Sequence, residues 1–490
     1  MTQLVDSPAL ASLPHGCAAR AHTAFTALSQ QWLASALPQA ALSQIALTGQ
    51  ALGFHSSFAA VDAVQAGVAA AALAATQLEQ WRNPQRPVQQ VVVDAQHAAF
   101  EASGYFTLGG QQPALWAPIS GLYACGQAVG VPGWVRIHAN FDHHRDGALA
   151  LLGLPMGADT PREAVAQALT RWRADDFEAR AAERGLPIVA SRSHAQWQAL
   201  GQEAVIAAAP LVQLERLGDA PPLPWPALEA QQRPLAGLKV LDLTRILAGP
   251  VAGRTLAAYG ADVMLVNSPQ LPNIEAIADT SRGKRSAHVD LRTPTGQAAL
   301  QQLLGSAHVL LQAYRPGALQ ALGCGPQQLV QQRPGLVVGE LCAYGWEGPW
   351  GGRRGFDSLV QTATGINADE AAAYGTHQPR ALPMQALDYS AGFWLAFGVQ
   401  AALLRQAREG GSWRVRLSLA GVARWLRSLG RVEPVADIGQ QAKPDVMPYL
   451  ETLDSGFGRL QAVRHSAQFS HTPAAWDYPS MPPGSAAPQW

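Results

Sequence analysis

The hydrophobic pattern is clearest in the second half of the chain, where short apolar runs alternate with amphipathic segments. The run LKVLDL at 238–243 predicts a buried strand. The segment GPVAGRTLAAYG at 249–260 predicts a short helix that begins near Pro250 and stops at Gly260. Further strands are predicted at ADVMLVN (261–267), HVLLQAY (308–314) and GLVVGELCAY (335–344). Strands that alternate with helices predict an α/β fold with a doubly wound parallel sheet.

The first half of the chain is richer in Ala and Gln and lacks this clear alternation. The Pro-rich segment GDAPPLPWPALEAQQRPLAG at 218–237 separates it from the strand–helix pattern. A faint internal repeat nevertheless relates 66–100 to 391–425: each is an Ala-rich helix, a basic turn, an alternating strand and a second helix. The matched strand position favours common ancestry over chance. The apolar run AAVDAVQAGVAAAALAATQL is interrupted by Asp62 and two glutamines, so we expect a buried helix rather than a membrane span.

Composition narrows the classes of function. A chain of 490 residues is long enough for two or three domains with a large core. Charged residues make up 14%, and Lys+Arg and Asp+Glu balance at 35 each, so we expect no nucleic-acid or membrane-surface partner. The four cysteines lack CxxC spacing, which is typical of free buried thiols in a reducing compartment. The N-terminus shows no signal-peptide pattern, so we expect a cytoplasmic protein.

Asp388 is the most unusual polar residue of the apolar segments. It lies in LPMQALDYSAGFWLAFGV, among small and apolar residues at the predicted start of a helix. One interpretation is helix capping. The other is a nucleophile, held ionised by the helix dipole and the free N–H groups and kept poorly hydrated by its apolar surroundings. The two roles are compatible, and we expect both.

Three further segments place basic residues or glycines beside predicted elements. The segment 280–293 contains Arg282, Lys284, Arg285 and Arg292, either as a solvated loop or as a site for the phosphates of an anionic ligand. Arg315 precedes a proline, which favours an extended conformation with its side chain directed away from the sheet. In WEGPWGGRRGFDSLVQTATGI (346–366), the glycines allow close approach to a ligand, and Asp357 or Ser358 can cap the following helix.

Several other motifs are not expected to have function. Gly249 and Gly253 have GxxxG rather than GxGxxG spacing, and no acidic residue closes the second strand, so nicotinamide binding is not expected. RIHANFDHHRDG at 136–147 has adjacent histidines that do not point at one centre, so we expect a surface cluster and no metal site. The absence of a GxSxG motif argues against a serine hydrolase.

Five segments, taken in order, resemble the family III CoA-transferases, the group that includes formyl-CoA transferase, carnitine CoA-transferase and alpha-methylacyl-CoA racemase. They are LAGLKVLDLTRILAGPVAGRTLAAYGADVMLV, RGKRSAHVDLRTPTGQAAL, YRPGALQALG, AYGWEGPWGGRRGFDSLVQ and ALDYSAG. The tail SHTPAAWDYPSMPPGSAAPQW also resembles the usual family ending. The resemblance covers residues 235–430 and implies a Rossmann-like large domain with a smaller α+β domain.

The resemblance also implies a reaction and a site. Asp388, in a D-x-x-x-G element with Gly392, would be the nucleophile of an acyl-CoA:carboxylate CoA-transferase that works through an aspartyl acyl anhydride and an aspartyl-CoA thioester. Coenzyme A would be a co-substrate, with no permanently bound cofactor. The family's CoA contacts fall on Leu247, Ala248, Ser268, Val289, Asp290, Leu291, Arg292, Ala313, Tyr314, Arg315, Ala321, Arg354, Gly355, Phe356 and Asp357. Relatives often have Gln, Arg, Asn and Arg at four of these positions, which here are Leu247, Ser268, Ala313 and Ala321.

The order of the chain departs from that of the family. Family members usually begin with the LKVLDL strand, and their small domain follows the nucleophile. Here residues 1–230 resemble the second half of a family unit, with the small domain at about 130–205. Residues 231–430 would form the Rossmann-like domain with the nucleophile, and 431–490 a tail that packs on it.

The rearranged order also bears on the number of active sites. Asp62 stands five residues before Gly67 rather than four, so we expect a cap or surface residue there and one active site per chain. Because family dimers are interlaced rings, the resemblance implies a homodimer. The alternative is that one rearranged chain mimics that assembly.

Two other functions remain open. The racemase branch pairs the aspartate with a histidine in a G-H-D element, whereas this chain has Phe356 at that position. This replacement argues against an acyl-CoA racemase or isomerase. The missing polar CoA contacts leave a third alternative, a CoA-binding homologue that has lost catalysis.

Overall fold

The computed structural model describes residues 15–435 and 444–490, with side chains from residue 22 onward. Within these residues the helices α1 to α16 are His15–Ala34, Ala60–Arg82, Ala95–Ser103, Asp142–Leu152, Arg162–Leu169, Ala174–Glu183, His194–Ala199, Gln202–Ala207, Ala248–Ala258, Ile277–Thr280, Pro294–Leu304, Pro326–Gln332, Asp357–Ala363, Ile366–Ala373, Ala386–Glu409 and Leu419–Ser428. The strands β1 to β16 are Ile45–Thr48, Val91–Asp94, Phe106–Leu108, Gly121–Cys125, Gly133–Ile137, Ile188–Ala190, Gln213–Gly218, Lys239–Asp242, Asp262–Asn267, Lys284–His288, Val309–Gln312, Val337–Cys342, Ser412–Ser418, Leu450–Ser455, Gly458–Val463 and Ala467–Phe469.

The central element is a seven-stranded sheet of order β10-β9-β8-β11-β12-β13-β7. Its first six strands are parallel, and β7 pairs antiparallel with β13 at the edge. The strand order reverses between β8 and β11, which is where doubly wound sheets open a crevice at the carboxyl ends of their strands. The predicted α/β fold with a doubly wound parallel sheet is confirmed.

Alternating side chains of the sheet face two helical layers. In β11, Val309 and Leu311 belong to the large core that also contains residues of α9 and α15. Leu310 instead packs in a second core with apolar residues of α11 and α12. Because both faces are covered, the strands are continuous apolar runs, and the sequence pattern predicted them for this reason.

The internal repeat folds twice in the same way. Helix α2, strand β2 and helix α3 form the first copy, and α15, β13 and α16 form the second. The two long helices pack on each other: Gln400 donates a hydrogen bond to the carbonyl oxygen of Ala71 at 3.0 Å. Helix α2 is long and apolar enough to cross a bilayer, but 94% of its apolar window is buried inside the protein, as expected for a core helix.

The other sheets connect the two ends of the chain. Strands β4, β5 and β6 form an antiparallel sheet with a separate core, to which α4, α5 and α6 contribute. Strand β16 pairs with β2, and β15 pairs with β3, so the tail contacts the N-terminal part as well as the large sheet. Glu101 of α3 joins these parts, since it bonds Arg254 of α9 and His465 of the tail at 3.0 Å each. The domain limits given above stay a prediction.

Candidate functional site

A cavity of about 340 Å³ lies at the carboxyl ends of the strands, where the strand order reverses. Its walls come from the loop after β8, the loop after β11 and the end of β12, and from residues 141–144 of the N-terminal part. A second cavity of about 190 Å³ extends from it along the ends of β9 and β10. Leu271, Tyr314 and Ala318 line both cavities.

Most of the predicted CoA contacts meet at these two cavities. Those that line them are Ser268, Val289, Asp290, Leu291, Arg292, Ala313, Tyr314, Arg315, Arg354, Gly355 and Phe356. Leu247, Ala248, Ala321 and Asp357 are not part of either lining. The resemblance therefore selected residues that the fold brings together from four different loops.

The larger cavity is strongly cationic. Among the described residues, its lining contains four arginines and no carboxylate: Arg245, Arg315, Arg353 and Arg354. Burial lowers the pKa of Arg245 and of Arg354, and the charge of Arg315 adds to the effect on Arg354. Arg353 lies 3.8 Å from Glu178, whereas Arg245 and Arg354 are half-buried and have no ion pair among the described residues, which favours an anionic ligand. Arg353 lies in the glycine-rich segment 346–366 that the sequence analysis singled out, but it was not among the predicted CoA contacts. Arg245 was missed, although it lies two residues after the predicted strand 238–243.

Three of the four basic side chains in the segment 280–293 fit neither interpretation offered for it. Lys284 lies 2.8 Å from Asp242, and both side chains are fully buried. Arg282 pairs with Glu451 at 2.6 Å, and Arg285 contacts both carboxylate oxygens of Asp262. These three side chains are not free for phosphates, because each is bonded to a carboxylate. Arg292 also pairs with Asp290, at 2.8 Å, but it is exposed and lines the smaller cavity.

Asp388 is the third residue of α15 and is 7% exposed. One turn later, Gly392 lies against α9: a Cβ atom there would be 2.6 Å from the carbonyl oxygen of Ala248. Glycine is needed because any side chain would push the two helices apart. The D-x-x-x-G spacing therefore holds the carboxyl group close to the start of α9.

A second carboxyl group lies beside Asp388. Oδ2 of Asp357 accepts hydrogen bonds from the backbone N–H groups of Leu387 at 2.8 Å and Asp388 at 2.9 Å. Its Oδ1 accepts from the amide of Gln361. Asp357 thus caps α15 and not its own helix, whose N-cap residue is Phe356. Asp357 is therefore a helix cap, as one interpretation expected, but it caps α15 and not the helix that follows it in sequence.

The charge of Asp357 affects the pKa of Asp388. Burial raises the pKa of Asp388 well above its usual range, and the charge of Asp357 raises it further. Burial also raises the pKa of Asp357 to about 6, although the N–H of Asp388, the amide of Gln361 and the charge of Arg136 oppose this rise. The expectation that the helix start holds Asp388 ionised is wrong, because Asp357 occupies the N–H groups there.

The loop between β8 and α9 is strained. Ile246 has a φ of 77°, which is unusual for a β-branched residue. It also lines the larger cavity. Strained backbone of this kind is found where a site fixes its geometry. No sequence signal marks this residue.

The histidine cluster of 136–147 is mostly buried, which corrects the expectation of a surface cluster. His138 is 5% and His144 is 4% exposed, while His143 is exposed. Burial lowers the pKa of both His138 and His144 to about 3, so both imidazoles are neutral. Nε2 of His144 accepts a hydrogen bond from Arg354 at 3.1 Å. In the described part of the chain no group of three or more potential ligands forms a metal site.

Other expectations concern single residues. Cys125, Cys324 and Cys342 are free and buried, as predicted, while the side chain of Cys17 lies outside the described residues. Asp62 lies in the first turn of α2 and is 5% exposed, so it is not a surface residue.

Comparison with known proteins supports the resemblance. Residues 235–444 match the model of CoA-transferase family III. The probable fatty acyl-CoA transferase Rv3272 of Mycobacterium tuberculosis is 36% identical over 205 residues, 39% of this chain and 52% of that protein. The succinate–glutarate CoA-transferase of Agrobacterium fabrum is 30% identical over 267 residues, 48% of this chain and 64% of that protein. The acetyl-coenzyme A transferase nodX of Hypoxylon pulicicidum is 36% identical over 216 residues, 42% of this chain and 36% of that protein.

The chain thus spans between 36% and 64% of the length of these relatives. A crystal structure of the M. tuberculosis protein is 34% identical and covers 40% of this chain and 58% of that one, with a TM-score of 0.37. A score this low supports no conclusion about the whole fold. The similarity to CoA-transferase family III therefore rests on the sequence match of residues 235–444.

Proposed function

We propose that this protein is an acyl-CoA:carboxylate CoA-transferase with Asp388 as its nucleophile. The observation that carries the proposal is a buried pair of carboxyl groups next to a cavity at which most of the expected CoA contacts meet. The relatives named above are CoA-transferases or an acyl-CoA transferase, which agrees with this chemistry.

The proposed reaction proceeds through two covalent states of Asp388. An ionised carboxylate oxygen attacks the thioester carbonyl carbon, the C–S bond breaks, and an aspartyl acyl anhydride and CoA thiolate form. The thiolate attacks the aspartyl carbonyl carbon and expels the donor acid as a carboxylate, which leaves an aspartyl-CoA thioester. The acceptor carboxylate then takes CoA by the same two steps in reverse. No net proton is gained or lost.

The surrounding residues have separate roles in this scheme. Arg245, Arg315 and Arg354 supply positive charge for CoA phosphates or for the carboxylates that enter and leave. Asp357 fixes the first turn of α15 and thereby the position of Asp388. Poor hydration makes an ionised Asp388 reactive, while burial and the charge of Asp357 raise its pKa and so disfavour the ionised form.

The test is exchange of CoA between acyl donors and acids. The purified protein is incubated with single acyl-CoA donors and a mixed library of carboxylic acids, and new CoA esters are identified by mass spectrometry. A parallel sample with donor alone is treated with hydroxylamine, which converts an acylated or thioesterified aspartate into a hydroxamate. We expect new CoA esters and a modification at residue 388.

Two results contradict the proposal. One is an Asp388→Asn variant that transfers CoA as fast as the wild type. The other is wash-in of deuterium at the α carbon of the donor without exchange of CoA, which identifies a racemase or isomerase. Binding of CoA in calorimetry without either reaction identifies a CoA-binding protein that lacks catalysis.

A further inference from the structure

The ring of Phe356 forms one end of the larger cavity. The next residue is Asp357, whose carboxylate binds the backbone N–H of Asp388. Asp357 and Asp388 are 1% and 7% exposed, and neither lines the cavity. Phe356 therefore connects the lining of the cavity with the buried carboxyl pair through its direct neighbour Asp357.

The ring of Phe356 is covered by His138, which comes from the N-terminal part of the chain. The two ring centroids are 3.8 Å apart, and the planes are inclined by only 11°. His138 directly follows β5, and its backbone N–H is bonded to the carbonyl oxygen of Pro187 at 3.1 Å. The strand is itself anchored, since Arg136 donates a hydrogen bond to Thr362 of α13 at 2.9 Å.

The chemistry of His138 fits a packing role at this wall. Its imidazole is neutral, because burial and the charge of Arg136 disfavour the protonated form. Nδ1 is buried and has no hydrogen-bond partner within the described residues. A flat ring at a small interplanar angle is what face-to-face contact with Phe356 requires, and an aliphatic side chain would not give it.

We propose that His138 is a positioning residue for the transfer reaction: it holds the ring of Phe356 at the end of the cavity and so limits which acyl groups reach Asp388. The inference rests on the proposed function and adds to it a source of acyl specificity. It assigns that role to the N-terminal part of the chain, outside the residues that match the family model.

The test uses three variants at position 138. His138→Phe keeps a flat ring, His138→Ala removes it, and His138→Leu fills the space without a ring. For each, kcat/KM is measured with acetyl-CoA and with a long-chain acyl-CoA, and the Kd for free CoA is measured by calorimetry. The buried His97, whose ring lies against Tyr449 and lines neither cavity, provides a matched control as His97→Ala.

We expect His138→Phe to keep the wild-type ratio of the two kcat/KM values. In His138→Ala and His138→Leu the ratio should shift toward the long-chain donor by about tenfold or more, which is the usual size of an effect on pocket shape. The Kd for CoA should not change. His97→Ala should lower the stability and leave the ratio unchanged.

Three results overturn the inference. The first is a ratio that stays at the wild-type value in folded His138→Ala and His138→Leu. The second is a folded His138→Phe whose ratio shifts as far as that of the alanine variant, because position 138 would then need an imidazole and not merely a flat ring. The third is a wild type that transfers CoA from no donor. That result overturns the proposed function as well, whereas the first two leave it intact.

Discussion

Helices α2 and α15 have similar sequences and pack against each other, but only one of them begins at a candidate active site. Each has an aspartate as its third residue, Asp62 in α2 and Asp388 in α15, and both aspartates are buried. Each also has a glycine in its second turn, Gly67 or Gly392. The position of an aspartate in a buried helix start is therefore not enough to predict chemistry.

The difference lies in what surrounds the two helix starts. At α15, the carboxylate of Asp357 binds the first N–H groups, and the cationic cavity lies next to it. Before α2, the N–H of Ser57 is bonded to Glu370 at 2.7 Å, and that carboxylate is paired with Arg380 at 2.7 Å. The charge of Glu370 is neutralised by Arg380, whereas Asp357 and Asp388 are buried side by side. Chemistry is expected where the charge is left uncompensated.

The largest expected effect separates the two aspartates directly. Asp388→Asn should lower the rate of CoA transfer by about a thousandfold or more, since an amide oxygen is a poor nucleophile. Asp62→Asn should leave the rate within about twofold, because α2 contributes no reacting group. Both rates are measured with the best acyl donor, and circular dichroism confirms that both variants are folded. Equal losses in the two variants would remove the distinction between the helices.

The glycines of the two helices should differ in stability. Gly392→Ala places a Cβ atom 2.6 Å from a backbone oxygen of α9, and we expect a loss of about 1–3 kcal/mol in the free energy of unfolding. At Gly67 the nearest atom would be Cβ of Phe393 at 3.2 Å, so Gly67→Ala should cost less. The higher helix propensity of alanine offsets that cost by about 1 kcal/mol. Denaturant titration of both variants measures the difference, and a greater loss for Gly67→Ala would contradict this account.

The coupled carboxyl groups predict a pH dependence of stability. An acid whose pKa is raised on folding stabilises the native state below its unfolded pKa, about 4, and loses that contribution as the pH rises through the folded pKa. The variant Asp388→Asn has no carboxyl group at this position and therefore does not lose stability in this way as the pH rises. The variant should therefore become more stable than the wild type as the pH rises from 4 to 8, and Asp62→Asn serves as the comparison. Thermal unfolding at a series of pH values measures the trend, and a gap that narrows with pH would contradict it.

The smallest expected effect concerns the pH profile of activity. Asp388 must be ionised to attack, so the rate should rise with pH. Asp357→Asn removes the negative charge that raises the pKa of Asp388 and keeps an oxygen that accepts from the helix N–H groups. The rising limb should move to lower pH in this variant. A limb that stays in place would show that the charge of Asp357 does not control Asp388.

Much of the fold was predictable because its signals are local. The strand runs at 238–243 and 308–314 are buried on both faces of the sheet, and continuous apolar stretches reveal such strands. The site was predictable in outline, since ordered motifs mark the loops at the carboxyl ends of the strands. The ionisation of Asp388 was not, because it depends on a carboxyl group 31 residues away.

By itself, the sequence determined the alternation of strands and helices, the break near 218–237 and the helix start that contains Asp388, since periodicity, proline and neighbouring residue types act over a few positions. Only the tertiary structure decided which groups meet. It buried Lys284 with Asp242, so that this lysine is not free to bind phosphates. It also bonded Asp357 to the start of α15 instead of the start of its own helix, and it stacked His138 on Phe356. Hydrogen bonds, ion pairs and ring contacts between distant residues depend on how the helices and strands pack, and no local pattern specifies that packing.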